Sequence, residues 1–258
     1  MPSKYKSIRE SILTTQPSLY PDLDAALWKR HGFKSKGPNE EEADELRLRC
    51  AQDPEFYIFG GFVRTFDERD RKVKPFPDKA YLRAILADMH QGHDRDGDVA
   101  AFSKSRQLLF TWTACAYSTW DARSNPFGRV MIQTKKAEDA WNLVYRGDWM
   151  ASRCGFIERA MPVPLRAVGL AATRGLLSYP NGSTIWGIPQ GAHQLRSYAA
   201  SLVIMDECCF WEKFEEAYTA ALAMAKRIVL ITTAAHGAYY GDLVEENEAV
   251  ETSEAVAA

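Results

Sequence analysis

The chain has 258 residues, a formal charge of -2 and a pI near 6.2. Hydrophobic residues make up 46% and charged residues 26%, which excludes a disordered chain and a bulk polybasic nucleic-acid binder. Cys50, Cys115, Cys154, Cys208 and Cys209 form no CxxC pair and show no Cys/His ligand spacing, so a structural zinc site is not expected. The odd cysteine count and the lack of a signal-peptide pattern suggest a reducing, intracellular compartment, and no apolar run approaches the ~20 residues of a membrane helix.

In chain order, the first fifty-five residues read as a polar, solvated helical arm. Its acidic start at Asn39-Glu40-Glu41-Glu42 is followed by Arg47 and Arg49, which suits the helix dipole. From Phe56 to Phe76 aromatics alternate with charges and glycines, predicting a strand or loop with Gly60 and Gly61 inside it. Pro75-Phe76-Pro77 opens a helix from Asp78 to Met89, with Tyr81, Leu82, Ile85, Leu86 and Met89 at helical spacing. Asp94, Asp96 and Asp98 alternate as in a calcium loop, but the glycine is misplaced and the distal Glu is missing, so a solvated turn is expected.

Strand and helix then alternate. Strands are predicted over Val99–Phe102, Arg129–Gln133, Leu202–Met205 and Ile228–Ile231, and helices over Leu108–Trp120, Lys136–Trp149 and Glu215–Ala225. Leu176–Tyr179 and Thr184–Ile188 form a β-hairpin about an Asn181-Gly182 turn. Continuous apolar strands separated by helices imply an α/β fold with a mainly parallel sheet covered on both faces, and such sheets place their chemistry at the carboxyl ends of the strands. Residues 56–241 are read as this domain, and the acidic, alanine-rich stretch 242–258 as a disordered tail.

Three polar clusters fall at strand ends. Asp206-Glu207 closes an apolar strand; one carboxylate can hold a Mg²⁺ water shell while the next polarises an attacking water, or the pair simply meets solvent. Lys104-Ser105-Arg106-Gln107-Leu108-Leu109-Phe110-Thr111 links a strand to a helix where a phosphate loop would lie. The GxxxxGK[ST] pattern fails there. Lys104 and Leu109 replace the glycines, Phe110 replaces the lysine, and only Thr111 fits, at the Mg²⁺-ligand position. A phosphate cradle still needs only helix-terminal N–H groups, a cation and a hydroxyl, which Lys104, Arg106 and Thr111 can supply. Leu109 must then accept a glycine's backbone angle, and an ordinary basic turn is the competing reading. Thr232-Thr233 ends the last strand, where a small polar residue can sense a γ-phosphate.

This ordered set resembles the ATPase domain of the large terminase subunit of tailed double-stranded-DNA phages. The matching segments are Lys104 to Thr111 as a deviant phosphate loop, Thr134 to Ala140, the Asn181-Gly182-Ser183 hairpin, Gln194-Leu195-Arg196-Ser197, Leu202 to Glu207 as Walker B, and Thr232-Thr233-Ala234 as the coupling motif. The resemblance implies a RecA-like P-loop ATPase that binds ATP and Mg²⁺ and drives genomic DNA into a procapsid. Lys104, Ser105, Arg106, Gln107 and Thr111 would line the phosphates, Thr111 and Asp206 would hold Mg²⁺, and Glu207 would activate water. Thr232 and Thr233 would sense the nucleotide. Arg196 would act on a neighbour's ATP in trans, or form a local salt bridge. The adenine would lie near Arg64 and Pro75-Phe76, with a Phe76 buried in the core as the competing and favoured reading.

Its implied partners are double-stranded DNA, the portal protein, the small terminase subunit and further copies in a ring, expected as a pentamer, in the host cytoplasm with no membrane contact. Lys135, Lys136, Arg146 and Arg153 are candidate DNA contacts. The sequence shows no carboxylate set for two-metal cleavage after the coupling motif, so no nuclease activity is expected of this chain. A non-hydrolysing P-loop assembly module and a helicase-like nucleic-acid-dependent ATPase are the alternatives.

Overall fold

The computed structural model describes residues 20–34, 36–67, 70–91, 98–104, 109–154, 175–196 and 198–233. The aspartate-rich turn before Asp98 and the acidic tail lie outside them, as do Ser105, Arg106 and Gln107.

Helix α1 (Pro21–Arg30) is followed by α2 (Glu40–Gln52), whose start is fixed by a capping box. Asn39 accepts from the Glu42 N–H, and the Glu42 carboxylate accepts from the Asn39 N–H. The charge run is solvated as expected, but Ala43, Leu46 and Cys50 are buried in the main hydrophobic core together with Leu27 and Trp28. The first helices are thus one layer of the domain rather than a free arm.

The expected strand or loop from Phe56 begins instead as a short helix, α3 (Pro54–Phe59). Asp53 caps it by accepting from the Phe56 N–H at 2.9 Å, and Pro54 occupies the first helical position. A separate antiparallel hairpin follows, β1 (Arg64–Asp67) with β2 (Lys72–Pro75). Helix α4 (Ala80–Gln91) then buries Leu82, Ile85, Leu86 and Met89, the stripe its spacing predicts.

The remaining elements are β3 (Asp98–Lys104), α5 (Phe110–Ser124), β4 (Arg129–Thr134), α6 (Ala137–Ser152), β5 (Leu176–Ser178), β6 (Thr184–Pro189), a single turn α7 (Ala192–Leu195), β7 (Leu202–Asp206), a 3₁₀ turn (Cys208–Phe210), α8 (Phe214–Met224) and β8 (Arg227–Thr233). The six-stranded sheet runs β3-β8-β7-β4-β6-β5, parallel except for the β5–β6 hairpin.

Strand alternation divides the core. Val130, Ile132, Leu202, Ile204, Val229 and Ile231 face α5 and the layer outside it, whereas Met131, Val203, Met205, Ile228 and Leu230 face α8. Both faces are therefore covered, which is why these strands read as unbroken apolar runs.

Helix α5 is buried almost throughout between the sheet and the outer helices. Three of its hydroxyls bond back to the helix backbone: Thr113 donates to the Leu109 carbonyl, and Ser118 and Thr119 donate to that of Cys115. At the sheet's amino end, Arg227 pairs with Asp121 at 2.7 Å, both side chains being buried. The Asn181-Gly182-Ser183 turn also lies at that end. Asn181 donates to the Ala122 carbonyl and Ser183 to that of Asn125, so the turn fastens the last turn of α5 to the sheet, away from the strand ends that carry the acids.

Candidate functional site

β3, β8 and β7 are neighbours, and their carboxyl ends bring Lys104, Thr233 and Asp206-Glu207 together. Lys104 pairs in register with Thr233, and Asp206 with Ile231. The first turn of α5 adds Thr111 from above β3.

A closed set of contacts results. The Lys104 ammonium donates to Thr111 Oγ1 at 3.1 Å and lies 3.0 Å from Glu207 Oε1 and 3.9 Å from Asp206 Oδ1. Thr111 Oγ1 in turn donates to Asp206 Oδ1 at 3.0 Å. Glu207 is held from its other side by Thr233, whose N–H donates to Oε2 at 3.0 Å and whose hydroxyl donates to Oε1 at 3.1 Å.

The two carboxylates have different environments. Burial pushes the Asp206 carboxyl above its ordinary value, with Lys104 and Thr111 pulling the other way. Burial also pushes Glu207 up, but its bonds from Lys104 and from the Thr233 N–H and hydroxyl together outweigh this and hold it below the usual glutamate value. Glu207 is the more open of the two, 38% exposed against 12% for Asp206. An ionised, open carboxylate suits proton acceptance from water. A buried carboxylate with an adjoining hydroxyl supplies the oxygen donors that Mg²⁺ prefers. Among the described residues no three His, Cys, Asp or Glu side chains converge into a ready-made metal cage. Mg²⁺ at a phosphate site needs only one or two carboxylates alongside waters and phosphate oxygens, so Asp206 and Thr111 fit it.

The loop's departures from the usual pattern have local explanations. Leu109, at the second-glycine position, takes the left-handed conformation (φ 57°, ψ 14°) that a glycine would normally supply. Phe110, at the usual lysine position, is a core residue with its ring 5.7 Å from that of Phe102. Lys104, at the front of the loop, is the cation that faces the two acids. Glu207 is also left-handed (φ 54°), turning its side chain back over the sheet edge toward Thr233.

The other expected residues separate. Thr232 is buried and its hydroxyl meets Cys209 Sγ, not the acids, so of the two threonines it is Thr233 that contacts Glu207. Arg196 is exposed at the end of α7. Of the two readings of Phe76, the structure bears out the buried one. Phe76 is 2% exposed with its ring against Phe59, and Arg64 is buried, bonding Asp24 and the Arg153 carbonyl. A buried ring presents no face to a base. The candidate DNA cations also diverge: Lys135 and Lys136 are exposed past the end of β4, whereas Arg146 and Arg153 lie over the rings of Trp112 and Trp149.

Two contributors went unrecognised in the sequence. Cys209 ties the turn after Glu207 to the end of β8 through Thr232 and the Thr233 carbonyl. Gln133 is buried at the end of β4 and donates to the carbonyls of Pro189 and Gly191, at 2.9 and 3.0 Å, anchoring the turn that leads to Arg196. Its signal was available: a lone amide inside a buried strand must find partners.

A solved phage protein has a similar fold. The large terminase of bacteriophage HK97 overlays with a TM-score of 0.57 over 78% of this chain at 14% identity. The overlay shows the fold, a RecA-like sheet of six mostly parallel strands flanked by helices.

The chain spans 42% of the length of the HK97 protein. The large terminase ATPase domain of Thermus phage P74-26 covers 72% of this chain and 70% of its own length at 16% identity and a TM-score of 0.45. A large terminase from a thermophilic bacteriophage, in complex with ADP, covers 60% of this chain and 39% of its own length at 12% identity and a TM-score of 0.42. The HK97 overlay is the one of the three that carries weight, and at 14% identity it speaks for the RecA-like fold. No protein-family model and no curated protein matches the chain.

Proposed function

We propose that this chain is an ATP-hydrolysing motor of viral genome packaging, coupling hydrolysis to the movement of double-stranded DNA into a procapsid. The observation that carries the reading is the position of the Lys104 amine, in the crevice between Thr111 and the paired acids. A cation there can meet the phosphates of a nucleotide although Phe110 stands where the lysine of a standard loop would be.

In this reading Lys104 and the amino end of α5 bind the phosphates, and Thr111 with Asp206 holds Mg²⁺. When bound, ATP and Mg²⁺ supply the phosphoryl group and the charge that screens it. Glu207, kept ionised by Lys104 and Thr233, orients the attacking water and takes its proton. Thr233 grips that base from the end of β8, so any change at the base is felt by a central strand. This supports a coupling role for the segment. Arg196, exposed on the turn anchored by Gln133, would serve a neighbouring copy's nucleotide within a homo-oligomeric ring. Portal protein, small terminase subunit and double-stranded DNA complete the proposed assembly, which works in the host cytoplasm.

The test uses purified chain with DNA and Mg²⁺-ATP. Phosphate should be released, and Glu207→Ala should reduce turnover by about 100-fold or more while leaving nucleotide binding within a few-fold. Equal release by both proteins would refute the assignment of the base. Mixing Arg196→Ala with Glu207→Ala subunits should restore activity if the arginine works across an interface. No rescue at any ratio would refute the trans role.

A further inference from the structure

A cleft of about 350 Å³ lies beside the phosphate crevice, lined by Phe66, Trp112, Arg146 and Trp149. Its volume falls in the range of small-molecule pockets, about 300–1,000 Å³. Of its lining residues only Arg146 has been given a role above, as a candidate DNA contact. Phe66 comes from β1 and is 42% exposed. Trp112 and Trp149 are both partly exposed.

Three observations connect the cleft to the crevice. Trp112 directly follows Thr111 in the first turn of α5, so one wall begins a single residue from the hydroxyl that meets Asp206. The Arg146 guanidinium sits 4.6 Å from the centre of the Trp112 ring, and its charge also reaches Asp206. The opposite wall is fixed in a similar way, with the Arg153 guanidinium 4.9 Å from the Trp149 ring. The indoles are therefore held in place before any ligand arrives.

Three aromatic rings and a guanidinium beside a phosphate crevice form the chemistry that holds a nucleobase. A base offers a π-face to stack on, and a neighbouring cation strengthens the stack. We propose that Phe66, Trp112, Arg146 and Trp149 form the base subsite of this chain, taking the purine of a nucleoside di- or triphosphate by stacking while Lys104 and Thr111 hold its phosphates. The inference rests on the nucleotide reading given above and places the base at this cleft instead of at the buried Phe76. Recognition through ring faces favours purines over pyrimidines, because a purine has the larger face, and separates adenine from guanine only weakly.

The experiment titrates the full chain with ADP, GDP, CDP and inorganic pyrophosphate. ADP and GDP should bind within about three-fold of each other, and CDP about ten-fold more weakly. Trp112→Ala and Trp149→Ala should each weaken ADP by about ten-fold while leaving pyrophosphate unchanged, and Trp112→Phe should keep most of the ADP affinity. Equal loss of ADP and pyrophosphate in the alanine variants would reveal a folding defect instead of a base contact and overturn the proposal. So would ADP binding that neither variant alters, or equal affinity for ADP and CDP. If the unmodified chain binds neither ADP nor pyrophosphate, the nucleotide reading itself fails. If both bind and both depend on Lys104 while the tryptophans are silent, only the base subsite fails.

Discussion

Leu109 offers a direct test of how this phosphate loop is built. Its backbone is left-handed, a conformation that costs an L-residue about 1–2 kcal/mol. Its side chain is partly buried against the main core. Truncation to alanine removes that packing and keeps the strain; truncation to glycine removes both. The two variants lose nearly the same side chain, so their difference isolates the backbone. Relief of about 1–2 kcal/mol, less about 0.5–1 kcal/mol for the greater unfolded-state freedom of glycine, leaves roughly 0.5–1 kcal/mol in favour of Leu109→Gly. At an ordinary helical position the order is reversed, alanine being better by about 1 kcal/mol. Urea unfolding followed by circular dichroism would measure this. With a slope near ~3 kcal/mol/M, the glycine variant should unfold at roughly 0.2–0.3 M higher urea than the alanine variant. The alanine variant should fall below the parent by about 1 kcal/mol for the lost, half-buried leucine contacts, and the glycine variant by roughly 0–0.5 kcal/mol. An alanine variant as stable as the glycine variant, or more so, would show that position 109 is not left-handed and that the loop does not imitate a glycine there.

Asp206→Asn should abolish turnover yet raise the melting temperature of the nucleotide-free protein at pH 7. Burial raises the folded-state pKa of Asp206 above its unfolded value, so its contribution favours folding below the unfolded pKa and is lost as pH rises through the folded one. The gain in the variant should therefore shrink as pH is lowered toward 4, and a gain that grows on acidification would contradict the assignment. Gly147→Ala should destabilise by about 1–3 kcal/mol, since an added methyl would sit 2.5 Å from Thr119 Oγ1 and 2.7 Å from the Cys115 carbonyl, prising α5 from α6. A more stable variant, the usual result of removing a helical glycine, would refute the close approach of the two helices.

The elements themselves were largely legible in the residues. Apolar runs ending in polar pairs marked β3, β4, β7 and β8, and the spacing of Leu82, Ile85, Leu86 and Met89 marked α4, because both patterns repeat over two to four residues and answer to one buried face. The Asn-Gly hairpin was equally plain, since Gly182 alone meets the positive φ its turn requires. In the segment from Phe56 the strand reading holds for β1 and β2, but the density of aromatics hid the Asp53-Pro54 helix start.

Lys104, Thr111, Asp206 and Glu207 were each identifiable as residues that could do chemistry, through their place at the ends of apolar strands. Sequence alone did not decide that they meet. Thr111 and Asp206 lie 95 positions apart, and they touch because the sheet sets β3, β8 and β7 side by side, a choice made by how whole faces pack. The same packing sent Phe76 into the core, turned Thr232 away from the acids, and drew Trp112, Arg146 and Trp149 around one cleft. Periodicity is a property of a few adjacent residues and survives in the linear chain. The neighbours of a side chain depend on the free energy of burying every layer at once, and only the folded molecule resolves that.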